Sequence, residues 1–244
     1  MVVSFHLSFL TWGLMWVLFD VGKVFDEFLR GDFLSAKGLE LQERDFEILR
    51  LIHRFRFCLG RHVMVLCGFS GARASDRRLK LLLDAGYLTR KKYLYGIPYM
   101  YTLSHRGRIL LGVNKREDKI RVDRITHDIY IIEAIIYFIL KYGVSLSDIE
   151  SEKELHIKDG FGLRKHQPDF VVRSAGGRIA VEVELNAKPK DRMEENIREN
   201  YLKYDRQVWI TNNSKVKSLL KGFTQEYSNI EVMRLEDALA HGRA

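Results

Sequence analysis

Two apolar runs around a glycine pair constrain this chain more tightly than any other feature. Phe170-Val171-Val172 and Arg178-Ile179-Ala180-Val181-Glu182-Val183-Glu184-Leu185 flank Gly176-Gly177, which is the pattern of two β-strands joined by a turn. Strand side chains alternate with a period of two, so Glu182 and Glu184 share one face while Val181, Val183 and Leu185 fill the other. Pro168-Asp169 stands at the mouth of the first strand, and pairing of the two strands carries Asp169 to the same region. Carboxylates crowded on one face of an apolar strand repel each other and lose hydration. A bound Mg²⁺ or Mn²⁺ relieves both penalties, because these ions take oxygen ligands. A hairpin whose acidic face points into water fits the same residues, and both readings stand at this level.

Charge favours the first. The formal net charge is +8, from 40 Lys and Arg against 32 Asp and Glu, which suits a polyanionic partner or an anionic membrane surface. A local nest of acids inside a basic protein is what a nuclease requires, with the acids on metal and the bases on phosphates. The length of 244 residues allows one large domain or two small ones. Cys58 and Cys67 are too few for a zinc cluster or a disulfide framework, so a reducing, cytoplasmic setting is expected. A Gly-rich phosphate loop, a G-x-S-x-G elbow and an H-E-x-x-H pair are all missing from the sequence.

Residues 1–38 form an apolar N-terminal segment, densest from Met1 to Phe19, with Trp12 and Trp16 and no Lys or Arg before Lys23. The basic start of a secretory signal is missing, and Ser4, His6, Ser8, Thr11 and Gly13 dilute a membrane span. A helix packed on the protein's own body, or a docking surface, is expected; a membrane-proximal anchor is the alternative.

Residues 39–122 carry the order helix, helix, helix, two-stranded wing, helix. Phe46, Leu49, Ile52 and Phe55 recur at helical spacing, as do Leu79, Leu82 and Leu83 in a third helix that ends at Gly86. A hairpin turns around Gly96-Ile97-Pro98, and Ser104 caps the last helix. Arg73, Arg77, Arg78, Lys80, Arg90, Lys91 and Lys92 face only Asp76 and Asp84 over this stretch. A helix for a major groove and a basic wing for phosphates need that distribution, so a winged-helix DNA-binding domain is expected. A solvated basic face on a protein-interaction module is the competing reading.

Residues 123–244 read as an apolar helix from Ile129 to Tyr142, a strand at Glu152 to Ile157, the two strands around Gly176, and then helix, strand, helix and strand to Met233. The first helix is hydrophobic on nearly every face and should be sandwiched. The whole is a mixed α/β core, giving an α+β chain. This order, with Pro168-Asp169 and Glu182-Val183-Glu184, resembles the PD-(D/E)xK, or restriction-endonuclease-like, phosphodiesterases over about residues 124–235. Glu184 stands where that family usually has lysine. Lys188, at the end of the strand, either reaches the same space or is a solvated loop cation.

A longer set of residues is similar to the replication-relaxation family, and within it to the MobC-type relaxases of mobilisable plasmids. The set comprises Leu41, Arg44, Asp45, Ile48, Leu49, Ile52, Phe55, Arg56 and Phe57, then His127-Asp128, Ser151 to Leu155, Pro168-Asp169, and Glu182 to Leu185 with Lys188. The resemblance implies a metal-dependent nickase at an origin of transfer, without the tyrosine nucleophile and three-histidine site of the common relaxases. Asp169 and Glu182 would hold Mg²⁺ or Mn²⁺, with Glu152 and Glu184 as further ligands or water-positioning bases and Lys188 stabilising the transition state. DNA, an accessory mobilisation protein and a coupling ATPase at the membrane would be partners, and a homodimer is a further possibility. Tyr201 and Tyr204 are expected in the core rather than as nucleophiles, and His127 as a cap or core residue rather than a ligand. The alternative function is a non-catalytic winged-helix DNA-binding regulator with a degenerate nuclease fold.

Overall fold

A computed structural model of the chain describes residues 39–113, 119–159 and 166–239, so the apolar segment at 1–38 lies outside the described residues. The chain is α+β. Its front half comprises α1 (Glu43–Phe55), β1 (Cys58–Leu59), α2 (Gly60–Leu66), α3 (Ala72–Asp84), β2 (Leu88–Lys91), β3 (Met100–Leu103) and α4 (His105–Leu110). The three strands form an antiparallel sheet in the order β1-β3-β2, with β1 between the first two helices and β2 and β3 forming the wing after the third. Gly86, with φ 77°, ends the α3 segment in the left-handed region that glycine adopts without strain. The Ser104 hydroxyl accepts from the Gly107 N–H at 3.0 Å and caps α4.

The back half begins with α5 (Ile125–Tyr142), followed by β4 (Ile149–Ser151), α6 (Glu152–Asp159), β5 (Phe170–Ser174) and β6 (Gly177–Val183). Then come α7 (Lys190–Lys203), β7 (Arg206–Thr211), α8 (Ser214–Phe223), β8 (Ile230–Arg234) and α9 (Leu235–Leu239). One five-stranded sheet takes the order β4-β5-β6-β7-β8, antiparallel from β4 to β6 and parallel from β6 to β8.

The strand expected at Glu152 to Ile157 is in fact helix α6, and the strand lies just before it. Ser151 stops the strand by opening a capping box: its N–H and hydroxyl donate to the Glu154 carboxylate at 2.7 and 2.8 Å.

Helix α5 is sandwiched as its composition requires. Ile132, Ile135, Ile136 and Phe138 join Phe170, Val172, Val181, Val183 and Val208 of the sheet in one apolar cluster, which also takes in Ile48, Leu49, Ile52 and Leu79 of the front helices. Apolar packing is therefore continuous across the expected boundary near residue 122. On the other sheet face, Trp209 packs with Met193, Ile197, Val216 and Leu220.

One polar contact crosses this interior. Glu133 of α5 is 3% exposed and pairs with Arg61 Nε at 2.5 Å and His62 Nε2 at 3.0 Å. The Leu59 N–H donates to His62 Nδ1 at 3.3 Å, which selects the neutral tautomer whose Nε2–H donates to Glu133. Burial drives the His62 pKa below its ordinary 6.5 against the opposing pull of Glu133. Burial would raise Glu133, but His62 and Arg61 outweigh it and hold the carboxyl below its ordinary 4.5.

Both groups therefore take up protons more readily in the unfolded chain as pH falls. Their contribution to stability is full above about pH 6.5 and declines below it. Thermal melts should show a fall beginning near pH 6.5, above the carboxylate range, and His62→Gln should reduce it. A second expectation concerns Gly107, where an added Cβ would lie 2.3 Å from the Tyr87 carbonyl oxygen. Gly107→Ala should cost about 1–3 kcal/mol through forced displacement of α4, read as a lower urea midpoint.

Candidate functional site

The β5–β6 ladder pairs Phe170 with Val181. One further step in the same register, just beyond the paired residues, sets Asp169 opposite Glu182. Asp169 Oδ2 accepts from the Val183 N–H at 2.8 Å, which ties the two strand ends together. Glu182 Oε1 accepts from Asn200 Nδ2 at 3.1 Å and lies 2.7 Å from His166 Nε2. One strand period further on, Glu184 Oε2 pairs with Lys188 Nζ at 2.5 Å.

The acidic face does not point into water: Glu182 and Glu184 are only 4% and 6% exposed. Burial raises the Glu182 pKa, and the neighbouring Asp169 charge adds to it against the hydrogen bond with His166. Burial would lower the Lys188 pKa, but Glu184, with Glu182 and Asp169 behind it, raises the ammonium above its usual range. Asp169, Glu182, Glu184 and Lys188 thus form one electrostatic neighbourhood.

His127, expected as a cap or core residue, stands at this site. Its Nε2 is 3.0 Å from the Val183 carbonyl oxygen and 3.5 Å from Asp169 Oδ2, and its Nδ1 is 3.7 Å from Asp128 Oδ1. Burial alone would lower the imidazole pKa; Asp128 and Asp169 on either side more than offset that and hold it at about 10. The ring thus lies among three oxygens, with its buried Nδ1 too far from Asp128 for a hydrogen bond. His166 and Asn200 were likewise not singled out from the sequence. Asn200 carried a readable signal, since it shares the buried face of α7 with Met193, Asn196 and Ile197.

A cleft of about 650 Å³ opens beside Asp169 and His127 and is also lined by Arg54, Arg56, Glu152 and His156. A second, of about 380 Å³, lies on the other side of His127 and is lined by Arg124, Glu184 and Lys188. The structure brings Asp169, Glu182, Glu184 and Lys188 together, and Glu152 lines the same cleft as Asp169. Glu152 opens α6 with its side chain 47% exposed and 3.7 Å from His156, and it meets Asp169 only through backbone.

The donor chemistry suits a hard divalent cation. Asp169 and the desolvated Glu182 offer carboxylate oxygens, and buried Asn200 Oδ1 has no hydrogen-bond partner among the described residues, whereas the Val183 carbonyl is taken by His127. Among the described residues, no three His, Cys, Asp or Glu side chains are grouped as a ready ligand set. A cation would therefore be held by two carboxylates with backbone or solvent oxygens.

On the front half, Arg73, Arg77 and Lys80 are exposed along one face of α3. Arg90, Lys91 and Lys92 are exposed on the wing, each over a tyrosine ring: Tyr99 at 4.6 Å, Tyr93 at 5.0 Å and Tyr95 at 5.6 Å. Arg78 does not belong with them. Its guanidinium forks onto both oxygens of the fully buried Asp45, with Nε 2.5 Å from Oδ1, so it holds α3 to α1 instead of facing a ligand. Tyr204 is buried as expected and donates to Gln167 Oε1 at 3.1 Å, whereas Tyr201, expected in the core, is exposed and packs only edge-on against Tyr227.

Among the described residues, no helix is long and apolar enough to cross a membrane. Comparison with protein families, curated proteins and solved structures finds no match for this chain.

Glu182→Gln keeps the acceptor for Asn200 and removes a desolvated charge. It should raise stability by about 0.5–2 kcal/mol in chemical denaturation, as expected where a site holds an unfavourable group for function. A loss of stability would instead mark Glu182 as a structural partner of His166.

Proposed function

We propose that this chain is a metal-dependent DNA endonuclease that nicks one strand at a plasmid origin of transfer, in the manner of the replication-relaxation proteins it resembles. The observation supporting this most directly is the placement of Asp169 opposite buried Glu182, with Asp169 lining a cleft that also carries Arg54, Arg56, Arg124 and Lys153. Asp169 and Glu182 would hold Mg²⁺ or Mn²⁺, which when bound supplies an activated water and neutralises charge on the phosphoryl oxygens. Lys188 stays protonated at neutral pH and offers its ammonium to the charge that builds on phosphorus. Glu184 aims that ammonium, a role that accounts for an acid where the resembled nucleases carry lysine. The exposed Arg73, Arg77 and Lys80 stripe and the basic wing would seat the duplex. An accessory mobilisation protein and a coupling ATPase would complete the assembly.

A specific observation favours a second reading, a DNA-binding protein with a degenerate nuclease core. Lys188 is neutralised by Glu184, and His127 already fills the space between Asp169 and the Val183 carbonyl.

Purified protein and supercoiled plasmid carrying the cognate origin, with Mg²⁺ or Mn²⁺, separate the two. Wild type should produce nicked circles, and Asp169→Asn and Glu182→Gln should each lose roughly a hundredfold or more in rate while retaining gel-shift binding. Unchanged nicking by the double variant would refute the enzyme and leave the binder.

A further inference from the structure

Arg56 is the single non-glycine residue with positive φ among the described residues, at φ 67° and ψ −32°. That backbone is strained for any residue with a Cβ, and glycine would make the same exit from α1 freely. The fold draws little from the side chain in return. Among the described residues its one polar contact is Nη2 to Asp128 Oδ2 at 3.3 Å, with the side chain 38% exposed. Its neighbour Arg54 is the opposite case, bonded to the carbonyls of Leu146 and Ile149 and to Glu154.

The position also lies in the right place. Arg56 lines the larger cleft with Asp169, alongside Arg124, Lys153 and His156. It heads a line of contacts in which Arg56 meets Asp128, Asp128 lies 3.7 Å from His127 Nδ1, and His127 Nε2 lies 3.5 Å from Asp169. A phosphate entering the cleft would compete with Asp128 for a guanidinium that has most of its donors to spare.

We propose that Arg56 is a phosphate-binding residue that grips the DNA backbone entering the cleft, and that its strained backbone is kept because it aims the guanidinium there. This inference rests on the reading of the chain as an enzyme acting on DNA phosphodiesters.

The test uses the full chain and a fluorescein-labelled duplex of arbitrary sequence, with anisotropy titrations over a range of salt and a thermal melt of each protein. R56G should weaken binding roughly eightfold near 0.1 M salt and make the plot of log affinity against log salt shallower by about 0.9, the loss of one phosphate contact. The same variant should melt about 2–4 °C higher, through release of strain. R56K should bind close to wild type with its salt slope intact and gain no stability.

An unchanged salt slope in R56G would overturn the proposal. A lower melting temperature in R56G would also overturn it, since the arginine would then serve the fold. Loss of nicking in Glu182→Gln together with an unchanged R56G slope sinks this inference alone. Persistent nicking in Glu182→Gln with a reduced R56G slope sinks the nuclease reading and leaves the phosphate contact standing.

Discussion

Helix α5 has almost no polar face, and the need to cover it organises both halves of the chain. Ile132, Ile135, Ile136 and Phe138 sit in one continuous cluster with the sheet and the front helices. Burying each such side chain stabilises the fold by roughly 1.5–3 kcal/mol. The buried carboxylate of Glu133 would be costly in that setting were it not met by Arg61 and His62. With its flanks covered, α5 brings only its first turn to the junction between α1 and the ends of β5 and β6. His127 and Asp128 occupy that turn, so the packing of the core delivers them to the carboxylates.

Much of this was legible from period and punctuation. Alternation along residues 178–185 set the inward face of β6, and the left-handed positions at Gly86 and Gly143 end α3 and α5 where the apolar stripes run out. Three kinds of feature were not. Strand β1, Cys58–Leu59, is too short to show a period and exists through its pairing with β3. Helix α6 reads as a strand only through Leu155-His156-Ile157, three residues that alternate in polarity; the Ser-x-x-Glu box at Ser151 and Glu154 is the better signal. Contacts between distant residues were invisible, which is why Arg78 read as a ligand-facing cation when its partner Asp45 is thirty-three positions away. The same holds for His127, His166 and Asn200, which gather around Asp169 and Glu182 only once the sheet and α7 are assembled.

Two carboxylates with nearly equal burial show how a site differs from a structural pair. Glu133 and Glu182 are 3% and 4% exposed, yet Glu133 is held below its ordinary pKa and Glu182 above it. The difference lies in company. Glu133 faces an arginine and a histidine, whereas Glu182 has a histidine and an amide but also another carboxylate beside it. A fold selected only for stability gains nothing from two carboxylates in one desolvated place, so the pairing of Glu182 with Asp169 is what supports reading a ligand site there.

The same contrast runs along α1, whose two ends answer to different demands. At its N-terminal end Asp45 clamps Arg78 and so fixes α3, with its exposed Arg73, Arg77 and Lys80, against α1. At its C-terminal end Arg54 pins β4 and the first turn of α6, and Arg56 leaves the helix into the cleft. Thirteen helical residues span roughly 20 Å, and both ends are tied by charge-assisted bonds, so the basic stripe and the carboxylate cleft cannot move independently. Arg54 and Arg78 are satisfied by the fold and hold this geometry. Arg56 alone of the three is strained and half committed, which is the condition expected of a residue whose main partner arrives from outside.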